Sequence, residues 1–351
     1  MTFPKIIFIA ALGLFTVIGV VALFKTDSSK PQVIAPVEVR LPPPKIVKEV
    51  AVKPQPIAIV ETPPPPLPVP AQAPVAISQP SLKDDEELLA IEKINLIPLL
   101  FNKGEPRLPI VETIVYKSRV AWMKGRPAWL SDYANHYSTS RHFIARSLNG
   151  SPDYFKQDVA EGDRFNVLKL DKEVEFYLVL DATRCKLRLY YFDRGENEKV
   201  LLRTYTVGLG RSDPLRTSGS LTPLGKYSLG NKIAIYKPKM MGHHNGQRLE
   251  MVKIFGSRWI PFEKEIAGCT APAKGLGIHG VPWTVSSKGE MGEDTASLGK
   301  YESDGCIRLA SADMEEIFAI IITKPATIEI VKDFKLATVP GVERRIQYPG
   351  S

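Results

Sequence analysis

Cysteine is scarce in this chain, with only Cys185, Cys269 and Cys306 in 351 residues. So few cannot make the dense disulfide framework of a small secreted scaffold. Histidine is nearly as rare, at five residues. No pair among His243, His244, Cys269, His279 and Cys306 has a compact ligand spacing such as C-x2-C or H-x3-H, so a Cys/His zinc site is not expected. His136 and His142 lie six apart with no third ligand near them and read as surface or packing histidines. No metal or cofactor is expected. Charge of one sign is not in great excess either: 46 Lys and Arg against 38 Asp and Glu leave +8. That balance suits an anionic partner, whether nucleic acid, a membrane surface or a polymer bearing carboxylates.

Against this background one apolar run stands out. Ile6 to Phe24 holds no charge and is bounded by Lys5 and Lys25, which is long enough to span a bilayer. We read residues 1–30 as an uncleaved inner-membrane signal-anchor. The competing reading is a cleaved secretory signal, with Val20-Val21-Ala22 as its weak cleavage site. The even lysine balance gives no orientation signal. Either reading exports the rest of the chain to the periplasm, which argues against nucleic acid as partner. Residues 31–80 then carry fifteen of the thirty prolines, a composition that excludes helix and sheet interiors. As polyproline II, such a segment is a semi-rigid spacer reaching at most on the order of 150 Å.

Residues 81–130 form a connecting region. Within it, Leu82 to Phe101 reads as one amphipathic helix, with Asp84, Asp85, Glu86 and Glu87 in its first turns and a disturbance near Pro98. Residues 103–130 carry no clear signal. From Glu175 onward the chain changes character. Short alternating or apolar runs recur at 176–181, 185–192 and 200–208, and again at GKYSL, MVKIFG, GLGIHG and TIEIV. Leu187, Leu189 and Tyr191 alternate with Lys186, Arg188 and Tyr190, the period-two signature of a half-buried strand. One helix is expected from Ser311 to Thr323, with Ser311 as N-cap and Met314, Ile317, Phe318 and Ile321 as its apolar face.

The chemistry concentrates at Cys306, in Ser303-Asp304-Gly305-Cys306-Ile307-Arg308, with His279 upstream in Gly277-Ile278-His279-Gly280. A lone thiol is a poor nucleophile near neutral pH unless a base supports it, and an imidazole is the usual device. Gly305 allows close backbone approach and leaves amide N–H groups to face a developing oxyanion.

These residues resemble the L,D-transpeptidase catalytic domain. His279-Gly280 looks like the family's "HG" strand end, and Ser303 to Arg308 like its S-H-G-C-[IVL]-[RN] loop. Thr222-Pro223-x-Gly225-x-Tyr227 is similar to the "TPxGxY" strand, and Gly256-x-Arg258-Trp259-Ile260 to the "GxRWI" segment. Two departures stand beside these matches. Asp304 occupies the place of the family's histidine, where its carboxylate would disfavour a thiolate unless it pairs with Arg308. The interval between His279 and Ser303 is longer than in the family's shorter members, and its polar insertion reads as a flap at the cleft.

Residues 137–168 resemble, more loosely, a degenerate lysin motif, through Ile144, Ala145, Leu148, Asn149, Gly162, Asp163 and Val167. That likeness implies docking to glycan strands, with a plain packing subdomain as the alternative.

The expected architecture is therefore mostly β. It is an L,D-transpeptidase-type β-sandwich or barrel-like catalytic domain with a packed helix at 173–333, followed by a tail at 334–351. A small α/β lysin-motif-like module at 131–172 and a transmembrane anchor precede it. The resemblance implies acyl transfer on peptidoglycan stem peptides, with Cys306 as nucleophile and His279 as base. Gly305, Ser303 and Asp304 would form the oxyanion loop, and Arg308, Gly280, Arg258 and Trp259 would meet substrate. Carbapenem-type inhibitors would acylate Cys306. A non-catalytic wall-binding protein is the alternative from another class. Finally, three cysteines in an exported chain leave one unpaired; with Cys306 kept free for chemistry, Cys185 and Cys269 are expected to form a disulfide, the competing account being a small buried strand cysteine at 185 and a free loop thiol at 269.

Overall fold

The structure is a computed structural model that describes residues 90–154, 158–287 and 289–346. The expected anchor, the proline-rich spacer and the acidic start of the first helix lie outside the described residues. Among the described residues, no helix is long and apolar enough to cross a membrane.

The expected helix over 82–101 does not run through. Helical geometry ends at Glu92; beyond it the Asn95 side chain accepts the Ile97 N–H at 3.2 Å, and Leu96 N–H donates to Leu202 O at 2.8 Å. Helix α1 (Pro98–Phe101) then restarts with proline at its start, where a missing N–H costs nothing. An asparagine competing for a backbone donor, followed by a residue with none, is enough to break the periodic pattern. Leu96, Ile97, Leu99 and Leu100 are buried in the main core.

The next elements form a βααβ unit. Strand β1 (Val111–Val115) pairs antiparallel with β2 (Arg164–Leu168), and α2 (Leu130–His136) and α3 (Arg141–Asn149) lie between them in sequence. Ser140 caps α3 by accepting the His142 N–H at 3.1 Å, and Gly150 ends it in the left-handed region. Ile144 and Val167 are fully buried. The leading strand lies at 111–115, upstream of the module boundary expected at 131. The 103–130 segment without sequence signal closes this unit, with the Trp122 ring stacked on His136 at 4.3 Å. His142 is buried, and its Nδ1 accepts the Tyr154 N–H at 3.1 Å, a packing role.

The remainder is built on one curled ten-stranded sheet rather than two facing layers. The strands that compose it or flank it are β3 (Val174–Asp181), β4 (Lys186–Asp193), β5 (Glu198–Thr206), β6 (Leu209–Gly210), β7 (Gly225–Leu229) and β8 (Ala234–Ile235). A hairpin of β9 (Met241–His244) and β10 (Gln247–Glu250) leads to α4 (Val252–Phe255) and β11 (Arg258–Ala267). Then come β12 (Gly277–Gly280), β13 (Trp283–Val285), β14 (Met291–Glu293), β15 (Tyr301–Ser303), β16 (Ile307–Leu309), α5 (Ser311–Ile321), β17 (Ala326–Val331) and β18 (Val342–Glu343). The sheet runs β16-β12-β11-β7-β17-β3-β4-β5-β18, with β8 also on β11. Two register shifts where β11 pairs β7 bend the sheet, as bulges do.

Helix α5 packs into the main core, with Met314, Ile317, Phe318 and Ile321 all buried as its periodicity predicts. Its N-cap is Ala310 rather than Ser311; the Ser311 N–H is met by Glu293 Oε2 at 2.7 Å, a carboxylate at the positive helix end. The MVKIFG run is not a strand: Val252–Phe255 forms α4 and turns the chain into β11. Strand β4 is buried on both faces, not one. Its second face is covered by chain distant in sequence, including Ile91, Ile94, Phe334 and Val339, around Tyr190. Arg188 lies over the Phe334 ring at 3.7 Å. The tail returns to the sheet as β18 beside β5.

All three cysteines are free, contrary to the expected disulfide. Cys185 sits at the β3–β4 turn, while Cys269 lies against Gly225 at the start of β7. Strands β3 and β17 lie between them, and two to three strand spacings are roughly 10–14 Å, beyond the ~7 Å that a bridge spans.

Candidate active site

Strands β12 and β16 run parallel with Ile278 beside Ile307, His279 beside Arg308 and Gly280 beside Leu309. Ile278, Ile307 and Leu309 are fully buried in the core. Because side chains alternate along a strand, His279 and Arg308 share the opposite face, and Cys306 directly precedes β16. The parallel pairing thus joins two segments that lie 27 positions apart in sequence.

His279 is 3% exposed, with Phe255 edge-on at 5.4 Å and the Trp259 ring at 5.9 Å. Its Nδ1 lies 2.7 Å from Gly280 O. A carbonyl only accepts, so Nδ1 carries the proton and Nε2 is left with a free lone pair. Burial, helped by the Arg308 charge, lowers the imidazole pKa to about 4. At Cys306 burial pushes the thiol up to about 11; the Gly277 backbone and Arg308 pull it down, while Asp304 adds to the rise. Its Sγ also lies 3.8 Å from Gly275 O, a weak contact. The resting pair is therefore neutral thiol and neutral imidazole, suited to proton transfer during attack rather than to a preformed ion pair.

The loop before Cys306 is tied from within. Ser303 is 1% exposed; its Oγ donates to Cys306 O at 2.6 Å and accepts the Gly305 N–H at 3.1 Å. Both Ser303 Oγ and the Gly305 N–H are thereby committed, so neither is the oxyanion donor the sequence suggested. The Cys306 N–H has no partner among the described residues. Gly305 has φ +120°, and a Cβ there would stand 2.9 Å from Leu221 O, so no other residue fits. Asp304 does not pair with Arg308. It reaches Arg211 at 2.5 Å, with both side chains largely exposed.

Two expected substrate contacts move to structural roles. Arg258 is 2% exposed; it donates to Asp153 and to Ser257 O, and packs over Phe318. It ties the βααβ unit to the sheet. Gly280 is buried against Ser257 and Gly256, and its carbonyl orients His279. Arg308 remains. It is half-buried on β16, and among the described residues no carboxylate pairs with it. Trp259 is half-buried beside His279. The insertion is not a loose flap: β13 and β14 form a hairpin, and Ser297 is buried against Gly208. Among the described residues no group of three or more His, Cys, Asp or Glu is placed to hold a metal ion.

Thr222, Arg211 and Phe255 also belong to the surroundings of the site. Thr222 lay in a quoted motif, so its place was signalled though its work was not. Arg211 and Phe255 meet the site only through the fold.

Residues 175–330 match the family YkuD, the L,D-transpeptidase catalytic domain. Among solved structures the chain is similar to the helical cell shape determining protein Pgp2 from Campylobacter jejuni, at 17% identity over 48% of this chain and 51% of that one, with a TM-score of 0.31. It is likewise similar to Bd1075 of Bdellovibrio bacteriovorus, at 14% identity over 45% and 48% with a TM-score of 0.31. A third is Mycobacterium tuberculosis L,D-transpeptidase 1, at 16% identity over 48% and 70% with a TM-score of 0.22. The chain spans about half the length of the first two. No curated protein matches it.

Proposed function

We propose that this protein is a peptidoglycan L,D-transpeptidase that uses Cys306 as nucleophile and His279 as base. The observation that carries the reading is the tautomer lock. Gly280 O holds the Nδ1 proton at 2.7 Å, which leaves Nε2 bare on a strand paired with the one that Cys306 directly precedes. Cys306 Sγ attacks the carbonyl of the third residue of a donor tetrapeptide while His279 Nε2 takes the thiol proton. The tetrahedral oxyanion collapses, the C–N bond to the terminal D-alanine breaks, and His279 returns the proton to the departing amine. The thioester is resolved by an amine, giving a cross-link or protein attachment, or by water, giving an L,D-carboxypeptidase.

Arg308 meets a stem-peptide carboxylate, as a guanidinium with no ion-pair partner among the described residues is suited to do. Asp304 does not block the chemistry, because its carboxylate is held by Arg211. The uncharged Ile6 to Phe24 run anchors the chain in the inner membrane, the proline-rich segment holds the domain away in the periplasm, and the βααβ unit docks on glycan. Incubating the full chain in detergent with defined disaccharide tetrapeptides tests the reading. Mass spectrometry should find loss of the terminal D-alanine together with a new amide or acid. Intact tetrapeptide after prolonged incubation would favour a wall-binding protein instead.

A further inference from the structure

Thr222 lies in the loop before β7, 1% exposed, and reaches the Cys306 loop through one hydroxyl. Its Oγ1 accepts the Gly210 N–H at 2.7 Å and stands 3.0 Å from Gly305 O. Since a hydroxyl has one proton and a carbonyl has none, that proton goes to Gly305 O. The two neighbouring peptide groups are held by Ser303, through the Gly305 N–H and Cys306 O. The peptide between them, which carries Gly305 C=O and Cys306 N–H, is held by Thr222.

In a planar trans peptide the C=O and N–H point in opposite directions. A bond that fixes the Gly305 carbonyl therefore fixes the direction of the Cys306 N–H. Gly305 needs such a hold, because glycine admits both orientations of an adjoining peptide at little cost. The Cys306 N–H, without a partner among the described residues, is the donor left for an oxyanion. We infer that Thr222 is a positioning residue that aims the Cys306 N–H at the oxyanion of the acyl-transfer step. This rests on the acyl-transfer function proposed above.

The test compares two reactions of one thiol in the full chain. Meropenem acylation joins Sγ to the β-lactam carbonyl, breaks the ring C–N bond and delivers the thiol proton to the ring nitrogen; it passes through an oxyanion. Iodoacetamide alkylation displaces iodide from a tetrahedral carbon and forms none. Thr222→Val should slow meropenem acylation, read by intact mass, roughly 10–100-fold, with alkylation within about twofold of wild type. Thr222→Ser, which keeps the hydroxyl, should restore acylation. If Thr222→Val does not fold, Thr222→Ala makes the same comparison, since it too lacks the hydroxyl and adds no thiol. Acylation at the wild-type rate, or an equal fall in both reactions, overturns the inference. A wild-type chain that alkylates at Cys306 but never acylates overturns the parent reading as well, so the two failures are told apart.

Discussion

Cys306 and His279 are both held uncharged by burial, one raised to about 11 and the other lowered to about 4. Between those values the thiolate fraction grows with pH, so iodoacetamide alkylation of Cys306 should rise close to tenfold per pH unit from about 7 to 10. A plateau from pH 6 upward would instead indicate a thiolate–imidazolium pair. His279 also links stability to pH. An unfolded imidazole protonates near 6.5 and the folded one near 4, so only the unfolded state gains the proton between those values. Stability is then complete above about pH 6.5 and falls by roughly 3 kcal/mol as pH drops to 4. Denaturant melts of His279→Gln should lack that share of the slope. Asp304 gives a contrasting forecast. Its pair with Arg211 is exposed and worth at most about 1 kcal/mol, so Asp304→His should fold normally and retain or gain turnover.

Arg258 and α5 carry the tests of the supporting elements. If Arg258 bound substrate, removing it would raise KM and leave the melting point alone. The buried tie to Asp153 predicts the reverse: Arg258→Met strands a carboxylate in the interior and should cost about 3–5 kcal/mol, with KM unchanged below the melting transition. Phe318, 1% exposed and packed under Arg258, should cost about 3–5 kcal/mol as Phe318→Ala. These elements also show where the sequence could be read. The α5 apolar face was legible because its partners repeat at helical spacing. The candidate site was legible because Gly305 and its neighbours serve backbone positions that few residue types can fill. Arg258–Asp153 and Arg211–Asp304 span 105 and 93 positions, and no local pattern carries such pairings. Strand β4 looked half-buried for the same reason, since its second cover comes from residues 91–94 and 334–339.

For the molecule as a whole, the sheet order separates Cys185 from Cys269, so unfolding the chain without reductant should expose three alkylatable thiols. Counting one would restore the disulfide. The connecting region and the tail, both expected to lie outside the 173–333 domain, pack onto its sheet through Leu96, Leu100 and β18. What the chain does with this scaffold rests on a covalent intermediate at one residue. Mixing the full chain with a disaccharide tetrapeptide donor, quenching in acid and reading the intact mass addresses it directly. The proposed function predicts an adduct of the donor minus D-alanine, mapped to the Cys306 peptide, cleaved by hydroxylamine and absent in Cys306→Ala. Donor turnover by Cys306→Ala at the wild-type rate, with no adduct in either protein, would contradict it.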